Sequence, residues 1–192
     1  MKLQHFYKNI EGWFDFPKLY THAVQSFSSD SHFVEVGSWM GQSASFLAVE
    51  INNSNKLIKL DCVDTWEGSA EHSDVAEVKA NSLFETFLNN IKPVNQIINP
   101  IKLTSLEASK LYADNSLDFV FLDASHDYDN VKLDVMCWYP KVKQGGLFSG
   151  HDYNGAWPGV IKAVNEFALK YRYTIRTSDV SCWSIVKTST QQ

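Results

Sequence analysis

Short runs of β-branched and aromatic residues alternate with amphipathic segments from about residue 30 onward. This alternation predicts parallel strands joined by helices, because parallel neighbours need a long crossover connection. No fixed-period repeat or flexible linker divides the 192 residues, and 44% of them are hydrophobic. A chain of this length and composition supports one hydrophobic core. We therefore expect a single α/β domain over residues 1–192, with an N-terminal helical segment at 1–30 and the sheet within 31–188.

Five strand–helix units and a closing antiparallel hairpin are predicted. The strands are expected at 32–36, 57–63, 97–103, 117–122 and 146–149, and the hairpin pairs 173–177 with 182–186. The run 117–122 is apolar apart from Asp118, which is typical of a strand buried on both faces. That strand is therefore expected at the centre of the sheet.

Periodic apolar positions predict the helices between these strands. A polar loop at 66–73, long enough to form a lid, precedes one helix that carries apolar residues from Val75 to Ile91. Thr104 and Glu107 form the capping box of a short helix. The remaining helices are expected at about 16–27, at 44–51, at 128–142 before Gly145 and Gly146, and in a segment opened by Pro158.

Composition excludes several classes of partner. The sequence has 17 basic and 22 acidic residues, a formal net charge of −5 that repels a phosphate backbone, so no nucleic-acid partner is expected. The first residues lack a signal-peptide stretch, and no apolar run reaches the length of a membrane span. We therefore expect no membrane partner and a cytoplasmic location. The three cysteines lie in apolar runs without metal-ligand spacing, which favours reduced core residues.

A glycine motif follows the first predicted strand: Glu35-Val36-Gly37-Ser38-Trp39-Met40-Gly41. A dinucleotide fingerprint would have a second glycine where Trp39 stands, to let the backbone approach a pyrophosphate. Glu35 would add negative charge beside any phosphate, whereas it would pair well with an ammonium group. The motif therefore disfavours a dinucleotide and favours a ligand with an adenine, a ribose and a cationic amino-acid tail, such as S-adenosylmethionine.

Asp64 ends the second predicted strand, where an acidic residue can accept hydrogen bonds from ribose hydroxyls. Each of these two signals also has a structural interpretation, because a glycine pair after a strand is often a tight turn and a strand-end Asp is often a helix cap. Their order and spacing together favour a cofactor site.

At this point the sequence resembles the class I S-adenosylmethionine-dependent methyltransferases, from about residue 32 to residue 186. The motif at 35–41 matches that superfamily's first motif, and 63–68 matches the acidic end of its second strand. The segments 121–128, 145–146 and 150–153 resemble the small methyltransferase family labelled class 24. The resemblance implies a Rossmann-like fold with helices on both faces of a mostly parallel seven-stranded sheet, whose last strand is antiparallel.

The resemblance also implies which residues contact the cofactor, S-adenosylmethionine. Glu35 and Gly37 lie near its methionine part, and Asp64 contacts the ribose. Ser38, Trp39 and Gly41 of the same loop are also expected to bind the cofactor. The adenine is expected near Thr65, Trp66, Ser105 and Leu106, with Asp123 also in the cofactor site. Trp66 has two interpretations: it offers a stacking face for the adenine, or it is a buried anchor of the lid.

Asp123 and Asp152 end the fourth and fifth predicted strands, so both carboxylates should face one cleft, with His126 and His151 nearby. Two such acids suit Mg²⁺, which would lower the pKa of an acceptor hydroxyl. Catechol-type and macrolide-sugar O-methyltransferases, which the chain resembles more distantly, hold magnesium with acids that align with Asp123 and Asp152. Their general base would fall on His126. The catechol type has an asparagine directly after the second acid, whereas here Tyr153 intervenes.

Structural roles remain open for these residues, since Asp123 could cap a helix, His126 could be a solvated first-turn residue, and His151 could be satisfied in the core. A hydrolase triad of Ser125, His126 and Asp152 is disfavoured because no Gly-x-Ser-x-Gly elbow is present.

We expect an S-adenosylmethionine-dependent methyltransferase that methylates an oxygen of a small hydroxylated acceptor, sugar-like or a natural product, with Asp123, His126 and Asp152 as catalytic residues. Asp123 and Asp152 are also the expected ligands of a divalent metal. The alternatives are a metal-independent methyltransferase and a non-catalytic S-adenosylmethionine-binding module. The aromatic-rich stretch at 5–14 is expected to pack on the body of the protein or on a second subunit, and the second case would give a homodimer.

Overall fold

The computed structural model describes residues 2–69 and 72–188. In these ranges the strands are β1 (His32–Val36), β2 (Lys59–Asp64), β3 (Ile98–Lys102), β4 (Leu117–Leu122), β5 (Val142–Gly150), β6 (Arg176–Ser178) and β7 (Cys182–Val186). The helices are α1 (Pro17–Ser26), α2 (Gln42–Ser54), α3 (Ala76–Lys79), α4 (Leu83–Asn90), α5 (Ser105–Ser109), α6 (Tyr128–Trp138) and α7 (Pro158–Tyr171). None of the helices described is long and apolar enough to cross a bilayer.

The strands form one sheet in the order β3-β2-β1-β4-β5-β7-β6. The pairs from β3 to β5 are parallel, whereas β7 runs antiparallel to both β5 and β6. The predicted fold class is confirmed, and β4 lies at the centre of the sheet as expected. The order of the strands reverses between β1 and β4, which opens a crevice at their carboxyl ends.

Two hydrophobic clusters cover the two faces of the sheet. Phe33 of β1 packs in a cluster with residues of α1, α2 and α4, whereas Val34 packs in a second cluster with α5, α6 and α7. Successive strand residues point to opposite faces, so the inner strands contribute apolar side chains to both clusters. Because both faces are covered, the open cleft of the sheet lies at the carboxyl ends of the strands.

The fifth strand is longer than predicted, because β5 begins at Val142 and α6 ends at Trp138. Gly145 and Gly146 therefore lie inside the strand and do not terminate the helix. The pairing of β4 with β5 shifts register between Leu117 and Phe119. A Cβ at position 146 would lie 3.0 Å from the carbonyl oxygen of Asp118, so glycine permits the close approach at this irregularity.

The single helix predicted from Val75 to Ile91 is wrong, since α3 and α4 are separate helices. Between them Asn81 has a φ of 51°, in the left-handed region, and this conformation interrupts the helical hydrogen bonds. Other strand bounds also differ by a few residues; β6, for example, covers 176–178 where 173–177 was expected. The N-terminal helix, the capping-box helix and the helix opened by Pro158 are confirmed.

The N-terminal segment packs on the body of the protein. The Phe16 ring, 1% exposed, lies 4.6 Å from the Phe121 ring on β4, and the His5 ring stacks on Phe46 of α2 at 4.4 Å. The backbone N–H of Leu19 donates to Asp179 Oδ2 at 3.0 Å, which ties α1 to the β6–β7 turn. These contacts make the segment part of the core on one face of the sheet, and a role in a homodimer stays a prediction.

We expect the Phe16→Ala variant to lower the free energy of unfolding by about 3–5 kcal/mol, because it leaves a cavity between α1 and β4. Urea denaturation followed by circular dichroism measures this loss. Trp13→Ala is the matched control in the same segment, since Trp13 is 65% exposed, and it should cost less than about 1 kcal/mol. Equal, small losses in the two variants would mean that the segment is not part of the core.

Candidate active site

A cleft of about 1220 Å³ lies at the carboxyl ends of the parallel strands. This volume exceeds the roughly 300–1,000 Å³ of sites that hold one small ligand, so the cleft has room for two. The predicted site residues that line it are Gly37, Ser38, Trp39, Asp64, Thr65, Ser105, Leu106, Asp123, His126 and Asp152. Glu35, Gly41 and Trp66 are not among its lining residues.

The loop after β1 contacts the end of β4 directly. Gly37 has a φ of +92°, and a Cβ there would lie 2.1 Å from the carbonyl oxygen of Asp123. The Gly37 N–H donates to the Val63 carbonyl and the Asp123 N–H donates to the Val36 carbonyl, both at 2.8 Å. Only glycine allows this conformation and this approach together, so Gly37 determines where the loop meets the acidic end of β4.

Asp64 holds two turns at the end of β2. Its Oδ2 accepts a hydrogen bond from the Trp39 N–H at 2.9 Å, and its Oδ1 accepts one from the Trp66 N–H at 2.8 Å. Burial raises the pKa of this carboxyl above its usual value, although the backbone donors of Trp66 and Trp39 partly offset the effect. Asp64 therefore positions the glycine loop and also forms part of the cleft wall.

Glu35 does not face the cleft, in contrast to the predicted contact with an ammonium group. Its side chain is fully buried. Its carboxylate accepts hydrogen bonds from the Tyr20 hydroxyl at 2.7 Å and the Ser38 hydroxyl at 2.8 Å. Burial raises its pKa, against the hydrogen bonds that lower it. Glu35 thus supports the glycine loop from beneath, through α1 on one side and Ser38 on the other.

Trp66 is a buried anchor, which is the second of its two predicted interpretations, and its ring is not exposed to the cleft. It is 1% exposed, its ring lies 4.6 Å from Phe84 and 4.7 Å from Phe87 on α4, and its Nε1 donates to the Trp39 carbonyl. Gly41 is also a packing position, since a Cβ there would lie 3.1 Å from the Phe87 ring. Residues 70 and 71 of the expected lid lie outside the described residues.

His126 and Asp152 form an ion pair or hydrogen bond at the ends of β4 and β5. The distance from His126 Nε2 to Asp152 Oδ2 is 2.8 Å. One face of the His126 ring stacks on Trp157 at 3.9 Å between centroids. Ligand atoms of Asp123, His126 and Asp152 all lie within 4.8 Å of one another. The sequence prediction that these residues meet in one cleft agrees with this geometry.

His151 lies among three carboxylates. Its Nε2 is 2.9 Å from Asp15 Oδ1, and its Nδ1 is 3.6 Å from Asp123 Oδ1 and 3.4 Å from Asp152 Oδ1. Burial lowers the pKa of His151, but the hydrogen bonds and charges of Asp123 and Asp152 outweigh it and raise that pKa to about 11. The Asp152 pKa is held well below its usual range, because His126 and His151 outweigh the effect of its burial.

Several lining residues were not predicted from the sequence. Trp13 and His72 line one end of the cleft together with the predicted Trp39, and the His72 ring lies 5.4 Å from Trp13 and 4.4 Å from Trp39. Asp15 and Asp134 also line it. No local signal marks these positions, because they reach the cleft from the N-terminal segment, the loop after β2 and the middle of α6. Neither Lys nor Arg occurs among the described lining residues.

The Gly37→Ala variant should lose at least about 3 kcal/mol of unfolding free energy, since it combines a left-handed φ with a backbone clash against Asp123. Gly145→Ala is the matched control: its φ is +79°, but nothing lies within 4 Å of its Cβ position. It should lose only about 1–2 kcal/mol. Urea denaturation of both variants makes the comparison, and similar losses would contradict the close approach.

Three comparisons relate the chain to known proteins. The family model Methyltransf_24, described as a methyltransferase domain, matches residues 34–153. No curated protein matches the sequence. Many solved structures share the fold, and three of them are compared with this chain below.

The O-methyltransferase NovP is 18% identical, with 90% of this chain and 79% of that chain covered and a TM-score of 0.68. CalS11, a TDP-rhamnose 3′-O-methyltransferase, is 15% identical, with 88% and 76% covered and a TM-score of 0.61. MycE in complex with Mg, SAH and mycinamycin VI is 15% identical, with 92% and 50% covered and a TM-score of 0.61. At identities of 15–18%, these similarities show that the chain shares the fold of the three proteins.

The match to the family model includes the glycine loop after β1, Asp64, β5, and the group of Asp123, His126 and Asp152. The seven-stranded sheet with its antiparallel last strand agrees with the solved structures. The chain belongs to the Methyltransf_24 family of methyltransferase domains and is an S-adenosylmethionine-dependent methyltransferase.

Proposed function

We propose that this methyltransferase transfers the methyl group to a hydroxyl oxygen of a small, uncharged, hydroxylated acceptor, sugar-like or a natural product, with His126 as the general base. The observation that carries the proposal is the contact between His126 and Asp152, 2.8 Å, in the same cleft as the glycine loop. The solved O-methyltransferases with this fold, NovP and CalS11, support oxygen as the acceptor atom.

The charge of the residues that line the cleft fits the cofactor. S-adenosylmethionine supplies a methyl group on a cationic sulfonium, and an acidic cleft whose described lining residues include neither Lys nor Arg suits that charge. We assign Gly37, Ser38 and Trp39 to the methionine part and Asp64 to the ribose hydroxyls. Thr65, Ser105 and Leu106 are assigned to the adenine. Gly37, Ser38 and Trp39 line the cleft next to Asp64, whose carboxylate accepts the Trp39 N–H, and this adjacency supports the assignment.

His126 accepts the acceptor's proton in this mechanism. When Nε2–H donates to Asp152, the basic lone pair of a neutral imidazole is on Nδ1. The negative charge of Asp152 stabilises the imidazolium formed when Nδ1 takes the proton from the hydroxyl. Trp157 stacks on the ring and holds its orientation. The oxygen that loses the proton gains nucleophilicity for an in-line displacement at the methyl carbon.

The charge of the cleft limits the acceptor. A phosphate group would need cationic partners, whereas the described lining residues include five aspartates and no Lys or Arg. We therefore propose an acceptor without phosphate, unlike the TDP-rhamnose of CalS11. Trp13, Trp39 and His72 offer aromatic faces against which a ring of the acceptor can pack.

The cluster of Asp123, His126 and Asp152 fits magnesium poorly. Mg²⁺ prefers oxygen ligands, whereas this set includes an imidazole nitrogen. The His151 ring also lies 3.4 Å from Asp152 and 3.6 Å from Asp123, where it already compensates their charge. The magnesium in the MycE complex belongs to that protein. We therefore derive the proton transfer from the side chains alone, and Asp123 and Asp152 as metal ligands stay a prediction.

Uncharged acceptors should be methylated and their phosphorylated counterparts should not. The measurement is transfer of a labelled methyl group from S-adenosylmethionine to pairs such as a flavonoid glycoside and its phosphate ester, or a phenolic sugar and the matching nucleotide sugar. We expect kcat/KM to fall at least about 100-fold in the phosphorylated member, since a buried unpaired phosphate is costly. A preference for phosphorylated acceptors would overturn the proposed acceptor class.

We expect His126→Ala to lower kcat about 10²–10⁴-fold, because the variant loses the general base, while the Kd for S-adenosylhomocysteine changes less than about twofold. Steady-state kinetics and calorimetric titration measure the two quantities. His22→Ala is the matched control, since His22 is an exposed residue of α1 outside the cleft. An unchanged kcat in His126→Ala would remove His126 from the mechanism.

The methyl-transfer assay, repeated in excess EDTA, separates the metal-free mechanism from a metal-dependent one. Turnover should be undiminished after exhaustive chelation. A loss that Mg²⁺ restores would show that Asp123 and Asp152 act as metal ligands and would replace the mechanism proposed here.

A further inference from the structure

We propose that Asp134, in the middle of α6, recognises the exocyclic 6-amino group of the cofactor's adenine and so selects adenosyl over other purine ligands. The inference depends on S-adenosylmethionine as the cofactor and is independent of the acceptor and of the role of His126. Asp134 has no place in the sequence motifs, and its position in the cleft comes only from the packing of α6 on α5.

Asp134 lies at the end of the cleft beyond Asp64. β3 is the strand beyond β2 in the sheet, and Leu103, Ser105 and Leu106 of the turn and helix that follow it line this end. Asp134 lines the same end from α6 and is only 8% exposed. A ligand whose ribose contacts Asp64 at the end of β2 would extend its base toward this turn.

A relay of hydrogen bonds holds the Asp134 carboxylate in place. Trp138 Nε1 donates to Ser105 Oγ at 2.8 Å, and the Ser105 hydroxyl donates in turn to Asp134 Oδ1. Both donors are rigidly placed, since Trp138 is fully buried and Ser105 begins α5. The carboxylate therefore has one oxygen committed to the protein and a fixed direction for the other.

The second oxygen, Oδ2, accepts no hydrogen bond from any residue that the structure describes, and it is not sealed from the cleft. Burial raises the pKa of Asp134 to about 6, with Ser105 opposing the shift. A nearly buried carboxylate with a single donor is under-compensated, and an N–H group supplied by a ligand would remove that deficit.

The surroundings favour a purine with an amino group over other N–H donors. Leu106 and Leu133 flank this end of the cleft with exposures of 47% and 54%, and such apolar side chains can cover the two faces of a flat ring. If Leu106 and Leu133 cover the two faces of a purine, the Asp134 carboxylate is left to contact the edge of that ring. Adenine presents an amino donor at its 6-position, whereas hypoxanthine presents a carbonyl oxygen that Asp134 would repel.

The experiment compares S-adenosylhomocysteine with S-inosylhomocysteine, which differ only in the 6-substituent of the purine. Calorimetric titration of the wild-type protein should give a Kd at least about tenfold lower for the adenosyl ligand. In Asp134→Asn that preference should collapse to less than about threefold, because the new amide can donate to the carbonyl of the inosyl ligand. Asp129→Asn is the matched control, as Asp129 is an exposed residue of α6 outside the cleft.

Each outcome decides the proposal. Loss of the preference in Asp134→Asn but not in Asp129→Asn supports it. Equal weakening of both ligands in Asp134→Asn would mean that Asp134 only braces Ser105, and the proposal would fail. Equal binding of the two ligands to the wild-type protein would also overturn it, and that measurement needs no variant to fold. None of these results depends on turnover, so they are separate from the test of His126.

Discussion

The backbone of Gly37 packs against the backbone of Asp123, and the arrangement of the cleft depends on that contact. It joins the loop after β1 to the end of β4 at the place where the strand order reverses. Asp64 fixes the same loop through the Trp39 N–H, and the buried Glu35 supports it from below through Ser38. A loop held from three directions lies next to Asp123, His126 and Asp152 in the same cleft.

The charges of the cleft are consistent with a cationic ligand that becomes less positive when it reacts. The described lining residues carry five aspartates, Asp15, Asp64, Asp123, Asp134 and Asp152, without Lys or Arg. His151 compensates part of this charge at the end of β5. Loss of the methyl group converts a sulfonium into a neutral thioether, so the attraction of the cleft for the product is weaker than for the substrate. The same electrostatics favour binding of the donor and release of the product.

Local sequence signals identified most of the fold and the polar ends of the strands. The first and fourth strands and the Thr104–Glu107 capping box are at the predicted positions because apolar periodicity and capping act within a few residues. The helix expected at 75–91 and the role of Gly145 and Gly146 were wrong. There, the left-handed Asn81 and the irregular β4–β5 pairing overrode local propensity.

The sequence by itself determined the alternation of strands and helices, the glycine loop after β1, and the acids at the carboxyl ends of β2, β4 and β5. Only the tertiary structure decided which of these side chains face the cleft. Glu35 and Trp66 turned out to be buried supports, whereas Asp15 and Asp134 entered the cleft from segments with no motif. The physical reason is that burial and charge compensation arise from contacts between residues far apart in sequence, such as Asp15 with His151, and no local pattern encodes them.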